Sequence, residues 1–301
     1  MLDAVTGAFS YSGAAVAAEL TRRGRAVRTL TNHPRAGSSL EVRPLDLRDP
    51  DGLRRSLTGA ETLYNTYWVR FPHREVTFDT AVAGSASLFQ AAADAGVRRI
   101  VHISITSADV HSPYAYFRGK GRVEEQLKNC GVPFAIVRPA ILFGGAGVLI
   151  NNIAWLMRRS PVTLIGAGGH YRIRGIHIDD LASLMVNLGE RGDRVTVDAV
   201  GPQSLTFAHL LEHIRTSVGS RTRILPVPGP AFPAVTWLLG RALRDTLLTR
   251  QEYQAMAAGL ADSGAPTTGT IRLTDWITDH KDTLGQTYAH ELRRHFLPAT
   301  T

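Results

Sequence analysis

Short apolar runs recur through the first half of the chain, at Leu2–Thr6, Ala26–Leu30, Leu40–Leu45, Thr62–Asn65, Arg99–Ser104 and Phe134–Val137. Between them lie stretches with helical character: Gly13–Arg23, the segment "DPDGLRRSLTG", Thr77–Ala95 and Tyr114–Asn129. Each stretch stops at a glycine, Gly24, Gly59, Gly96 or Gly131, the usual end signal of a helix. Strands that alternate with helices are joined by crossovers, so they pair in parallel and are covered on both faces. The pattern therefore predicts an α/β fold, a doubly wound parallel sheet with right-handed connections.

After about Pro139 the rhythm changes. Helical stretches at Ile150–Arg159 and Leu181–Glu190 flank a glycine-rich turn, "GAGGHYRIRG", and Val195–Val200 reads as a further strand. A helix over Thr206–Val218 and a proline-rich link over Leu225–Pro233 follow. Helices are then expected at Ala234–Leu247, Thr249–Ala258, "TDWITDH" and the late segment "YAHELRRHF". The division expected is a nucleotide-binding domain over residues 1–145, to which a strand near 195–200 returns, and a smaller, mainly helical substrate-binding region over 146–301.

The stretch between the first strand and the first helix reads "TGAFSYSG", with the frame Gly7-x-x-Ser10-x-x-Gly13. A pyrophosphate at a helix N-terminus is held by free backbone N–H groups and the helix dipole. The turn needs a glycine to bend, a close backbone approach to the phosphate, and a third small residue where helix meets strand. Gly7 and Gly13 fill the first and third places. Ser10 fills the second if its φ is negative, and adds a hydroxyl. Phe9 and Tyr11 complete the loop against the cofactor. The position makes this a dinucleotide-binding loop of Rossmann type.

A ribose 2′-hydroxyl is usually held by an acid at the end of the second strand. Here no acid occurs between Ala26 and Leu40; the residues are Thr31, Asn32, His33 and Arg35. Arg35 or Arg28 suits a 2′-phosphate, so the pattern favours NADP(H), with NAD(H) as the alternative. Asp46 and Leu47, after the third strand, are placed for the adenine. Asn65, Thr66 and Tyr67 flank the middle of the cofactor, and Trp68 lies further out toward substrate.

The chemistry-bearing stretch is "VHISITSADVHSPYAYFRGKGRVEE". Ser104 ends the fifth strand and Thr106 follows it. Tyr116 and Lys120 are spaced i, i+4 on a helix and so share a face. An ammonium beside a phenol favours the phenolate. A tyrosine tuned in this way can exchange a proton at a carbonyl while hydride moves, with a nearby hydroxyl holding the same oxygen. His102, mid-strand, reads as a core histidine. No His/Asp/Glu cluster has metal-ligand spacing, and Gly-x-Ser-x-Gly is absent.

The loop together with "RIVHIS", "YFRGK", "AIVRPAILFG" and "GIHIDDLA" resembles the short-chain dehydrogenase/reductases. The likeness is to their extended and atypical branch, which includes NmrA-like proteins and the nucleotide-binding accessory subunit of respiratory complex I. It covers about residues 1–200 and implies a bound nicotinamide cofactor. By that resemblance Tyr116 is the general acid/base, Lys120 its partner, and Ser104 or Thr106 the third member. Pro139 and Ile141 border the nicotinamide, while Phe143, Asn151, Asn152 and His177 lie near the substrate. Ser10 in place of the middle glycine matches the atypical branch, some of whose members bind the cofactor without turnover.

Composition narrows the rest. The net charge is +8, but the arginines are spread in pairs such as Arg22-Arg23 and Arg158-Arg159, which reads as an arginine-rich surface and not a nucleic-acid face. A single cysteine, Cys130, rules out an intramolecular disulfide and a cysteine-built zinc site. No signal-like leader is read, so a cytoplasmic setting is expected. The apolar, proline-broken stretch Leu225–Gly240 is too short to span a bilayer; it reads as core and loop, with a membrane-surface contact as the lesser alternative. A homodimer through helices such as Thr77–Ala95 and Tyr114–Asn129 is a family expectation. The function expected is an NADP(H)-dependent oxidoreductase, or an epimerase-like enzyme of the same chemistry, moving hydride to or from a carbonyl/alcohol or imine carbon of a mostly hydrophobic small molecule; the alternative is a non-catalytic redox sensor or assembly subunit.

Overall fold

The structure, a computed structural model, describes residues 1–73 and 75–290. In chain order the elements are β1 (Leu2–Thr6), α1 (Tyr11–Arg22), β2 (Ala26–Leu30), β3 (Glu41–Arg43), α2 (Pro50–Leu57), β4 (Thr62–Asn65), α3 (Phe78–Asp94), β5 (Arg99–Ile103), α4 (Ala115–Asn129) and β6 (Phe134–Pro139). The chain continues through β7 (Ile141–Phe143), α5 (Val148–Arg159), β8 (Val162–Gly166), a short 3-10 turn (Ala167–Gly169), β9 (Arg172–Ile173), β10 (Gly175–His177), α6 (Ile178–Gly189) and β11 (Val195–Ala199). Then come β12 (Leu205–Thr206), α7 (Phe207–Ser217), β13 (Arg223–Val227), α8 (Phe232–Leu243), α9 (Arg250–Ala257) and α10 (Leu273–Asp279). Of the helix expected over "YAHELRRHF", residues 288–290 are not helical and the remainder lies outside the described residues.

The chain divides into two compact units. The first combines Met1–Pro139 with Ile178–Ala199. Its seven strands are parallel, in the order β11-β6-β5-β4-β1-β2-β3. The late strand β11 joins β6, and helix α6 comes with it. β1 is flanked by β2 on one side and β4 on the other, so the strand order reverses there. Open α/β sheets bind ligands outside the strand ends at such a reversal.

The central strands are buried on both faces, which is why they read as continuous apolar runs. Leu63, Ile100 and Ile136 of the sheet pack with Leu88 and Phe89 of α3 and Leu127 of α4. Full burial of each such side chain contributes about 1.5–3 kcal/mol. α3 starts at a capping box in which Thr77 and Thr80 satisfy each other's backbone N–H. On the other face, α1 packs on α6. Arg99 ties down the end of that layer, donating to the carbonyls of Leu188 at 2.6 Å and Asp193 at 2.7 Å.

The second unit combines Ala140–His177 with the chain from Val200 onward. Ile150, Met157, Leu210, Ile214 and Ile277 form its core, drawn from α5, α7 and α10. Three two-stranded pairs accompany the helices: β7 with β10 and β8 with β13, both parallel, and β9 with β12, antiparallel. These strands are two to five residues long and too short to register in a periodicity search. β13 takes up the start of the expected proline-rich link, with Pro226 opposite Ile165. A two-stranded ladder has a free edge on each strand, so a residue without N–H is tolerated there.

Candidate functional site

The loop behind β1 has the geometry its sequence asked for. Gly7 has φ 65°, open to glycine and strained for other residues. Its N–H donates to Leu30 O at 2.9 Å, locking the turn to β2. Ser10 is the N-cap of α1 with φ −86° and ψ 172°, so a serine is accommodated where a glycine is usual. Its side chain does not cap the helix. A Cβ on Gly13 would lie 2.2 Å from Gly7 O and 2.7 Å from Gly7 C; only glycine lets the helix approach the strand this closely. The first turn of α1 carries no acid, so nothing on it opposes an anion.

Next to the loop, Arg35 donates to Phe9 O at 3.1 Å and its guanidinium sits 5.4 Å from the centroid of the Phe9 ring. The expected cation thus stands beside the loop, exposed. Arg28 has a different use. Its guanidinium donates to the carbonyls of Ser56 and Thr58 at 3.0 and 2.8 Å and pairs with Glu41 at 3.0 Å. Asn32 brackets Leu45, donating to its carbonyl at 2.7 Å and accepting from its N–H at 3.2 Å. These bonds close β2 onto the segment after β3 and give Asn32 a structural use. His33 is exposed. Asp46 accepts from Arg48 N–H at 3.0 Å. Leu47 packs against the core, and a Cβ on Gly84 of α3 would meet it at 2.7 Å.

At the strand reversal the ends of β1 and β4 are joined by a buried polar chain. Thr6 Oγ1 donates to Asn65 Oδ1 at 3.1 Å, and accepts from the N–H groups of Thr66 and Tyr67 at 2.7 and 3.1 Å. Thr66 Oγ1 donates to Thr6 O at 2.6 Å. Asn65 Nδ2 lies 3.0 Å from His102 Nδ1. His102 is fully buried; its burial, and then the charge of Lys120, hold its pKa well below the ordinary histidine range. It is a neutral core histidine, as its mid-strand position suggests.

Tyr116, Lys120 and Glu124 follow one another at i, i+4 and i+8 along α4, one face of the helix. Lys120 is buried and donates to Ile103 O at 2.7 Å, with Nζ 4.6 Å from the Trp68 ring centroid. Burial pushes its pKa down to about 7, and the Glu124 carboxylate opposes that shift. Tyr116 stands edge-on to Trp68 and to Phe78, with centroids 5.8 Å apart in both pairs. Trp68 and Phe78 stack on each other at 6.0 Å. Trp68 Nε1 is buried and has no hydrogen-bond partner among the described residues.

Ser104, expected to hold a reacting oxygen, instead donates to Glu124 Oε1 at 2.5 Å. The same carboxylate is bridged by Arg138, which donates to Oε1 at 2.8 Å and also bonds Oε2. Thr106 is buried, its N–H on Pro139 O at 3.0 Å. Glu124, Arg138 and Phe78 were not singled out from sequence. Glu124 had a signal, since it continues the four-residue spacing of Tyr116 and Lys120. Arg138 and Phe78 lie on other elements and had none.

The remaining expected residues lie in the second unit. Phe143 is buried, with its ring 5.3 Å from His177 and 5.8 Å from Trp276. His177 is buried, and a Cβ on Gly144 would meet its Nε2 at 2.2 Å. Ile141 packs at the edge of the core. Asn151 and Asn152 use their amides on backbone: Asn151 donates to Thr287 O at 2.9 Å and accepts from Gly285 N–H at 3.0 Å. Asn152 donates to Ala289 O at 2.8 Å and accepts from Ala289 N–H at 2.9 Å. Both pin residues 285–289 to α5, a use distinct from the substrate contact expected.

An NAD(P)H-binding family model matches residues 7–152. The 40 kDa subunit of mitochondrial NADH-ubiquinone oxidoreductase from Neurospora crassa is 24% identical over 212 residues, covering 69% of this chain and 56% of that protein. The chain spans 25% of the length of its mycobacterial relatives. Among solved structures, triphenylmethane reductase from Citrobacter, complexed with NADP(H), superposes with a TM-score of 0.77 at 19% identity, covering 93% of this chain and 100% of that one. NADPH-dependent quinone oxidoreductase from Escherichia coli, complexed with NADPH, gives 0.73 at 21% identity, covering 93% and 99%. At these identities the two structures share the fold.

Proposed function

We propose that this chain, whose residues 7–152 match an NAD(P)H-binding family model, is an NADP(H)-dependent oxidoreductase. Its substrate is a carbonyl/alcohol or imine carbon on a mostly hydrophobic small molecule. The observation that carries the reading is the α4 face, with Tyr116 in an aromatic setting one turn from a buried Lys120 whose pKa is held at about 7.

The chain fits the cofactor at the loop. Gly7, Ser10 and Gly13 would let a pyrophosphate approach the first turn of α1, and Arg35, beside the loop, is the cation that would pair with a 2′-phosphate. Leu47 offers an apolar contact to the adenine, and Thr66 and Tyr67 line the strand reversal. When bound, the nicotinamide gives or takes the hydride. Tyr116 then supplies or removes the proton at the substrate oxygen, with Lys120 favouring the phenolate. Trp68 and Phe78 exclude water beside Tyr116, which suits an apolar substrate. The two solved structures named above belong to reductases of a dye and of quinones, which is consistent with that class.

A second reading has its own support. Lys120 Nζ is already bonded to Ile103 O, and Ser104 to Glu124. Groups satisfied in this way suit a protein that binds NAD(P)H without turnover, as a redox sensor or an assembly subunit.

The test starts with NADPH and NADH titrations followed by fluorescence and melting temperature. A ligand at a hundredfold over its dissociation constant adds about 2.7 kcal/mol of stability. NADPH consumption with hydrophobic ketones or quinones is then compared in wild type and Tyr116→Phe. Turnover lost in the variant with binding retained supports the enzyme. Binding without turnover on any acceptor supports the sensor. Binding of neither cofactor sinks both.

A further inference from the structure

Helix α8 buries Phe232 and carries Trp237, Leu238 and Leu239 outward. Trp237 is 60% and Leu238 61% exposed, with Leu239 at 38%. Ala234, Trp237, Leu238 and Arg241 recur at three- and four-residue steps along the helix, so they form one stripe. Leu225 of β13, in the same unit, is also 45% exposed. Scattered exposed leucines are ordinary, but adjacent ones with a tryptophan mark an interaction surface.

Along the chain, the charge on either side of this stripe is of one sign. No Asp or Glu occurs between Arg215 and Asp245, while Arg221, Arg223, Arg241 and Arg244 fall within that stretch. All four arginines are exposed. Arg241 lies over the Trp237 ring at 5.3 Å, a stacked cation beside an apolar face. The acid that ends the stretch, Asp245, is buried; it accepts from the Tyr288 hydroxyl at 2.7 Å and lies 3.3 Å from His290 Nδ1.

We infer that α8 is a peripheral anchor whose exposed Trp237 and Leu238 bed into an anionic lipid surface, with Arg241 and Arg244 at the headgroups. The chemistry is that of an interfacial helix, with apolar side chains in the acyl boundary, an indole at headgroup depth and cations on the phosphates. At 12 residues the helix is about 18 Å long, short of the roughly 30 Å hydrocarbon core, and no described helix is long and apolar enough to cross a membrane. The helix therefore lies in the surface. A protein partner would be expected to present carboxylates and pockets of its own; the anionic bilayer matches both halves of this stripe at once and needs no shape complementarity.

The test is flotation of the full chain with vesicles of phosphatidylcholine alone and of phosphatidylcholine mixed with phosphatidylglycerol. Binding is expected to the mixed vesicles only, and to weaken with added salt. Trp237→Ala combined with Leu238→Ser is expected to lower partitioning roughly tenfold or more, as expected for withdrawing one large apolar side chain from the bilayer, at an unchanged melting temperature. Arg241→Gln with Arg244→Gln is expected to remove the preference for anionic vesicles. No flotation, or flotation indifferent to both double variants, overturns the proposal. A concentration-dependent dimer in sedimentation that Leu238→Ser disperses also overturns it, because the face is then covered by a second copy.

Discussion

Gly13 and Gly7 touch backbone to backbone: a Cβ on Gly13 would lie 2.2 Å from the Gly7 carbonyl oxygen. Nothing there is a flexible side-chain end that can move aside. Gly13→Ala must push α1 away from β1 and open the loop. The expected cost is about 1–3 kcal/mol of stability, with a larger proportional loss of NADPH affinity because the N–H groups of the turn move with the helix. Melting curves with and without NADPH separate the two effects. An unchanged dissociation constant in a folded variant would mean that the cofactor does not sit on this loop.

Arg35 is the cation beside the loop, resting on Phe9. Arg35→Ala is expected to weaken NADPH binding by roughly tenfold or more, the value of a charged hydrogen bond, and to leave NADH binding nearly unchanged. The measurement is the ratio of the two dissociation constants. Arg28 is engaged by Ser56, Thr58 and Glu41, so Arg28→Ala is expected to lower stability and leave that ratio alone.

Burial of Lys120 makes stability depend on pH with a definite sign. Its folded pKa is lowered from the ordinary 10.5 to about 7. Between these values the unfolded chain holds more protons than the folded one, so this residue's contribution becomes more favourable as pH rises. Below about pH 7 the cost of the buried cation is fully present. Lys120→Met is therefore expected to melt above the wild type at neutral pH, with the gap closing toward pH 10. A gap independent of pH would show that Lys120 is solvated in the folded protein.

Glu124 is shared between Ser104 and Arg138. Ser104→Ala should cost about 1–2 kcal/mol with turnover little changed, since the hydroxyl is already committed to the carboxylate. Glu124→Gln should cost more, about 3 kcal/mol, because Arg138 loses its counter-charge. Loss of turnover in Ser104→Ala without loss of stability would return the serine to the reacting oxygen.

Much of the first unit could be read from the linear chain. Strand and helix periodicities are local, and the stop signals at Gly24, Gly96 and Gly131 stand next to the elements they end. The loop was legible because its requirements are local too, and Ser10 satisfies them with φ −86°. The pair Tyr116 and Lys120 was legible because helical spacing brings i and i+4 together. In the second unit, strands such as β9 and β12 are two residues long and exist only because a partner distant in sequence lies alongside.

What the sequence by itself determined is therefore the set of elements in the first unit, the glycine-framed turn between β1 and α1, and the tyrosine and lysine on one helix face. What only the tertiary structure decided is which partner each polar group takes. Ser104 went to Glu124, Arg28 to the carbonyls at the C-terminal end of α2, Asn32 to Leu45, and Asn151 and Asn152 to the segment over 285–289. The physical reason is that a backbone periodicity follows from neighbouring residues alone. A buried hydroxyl, amide or guanidinium must find a partner wherever packing provides one, and that partner is set by elements far apart in the chain.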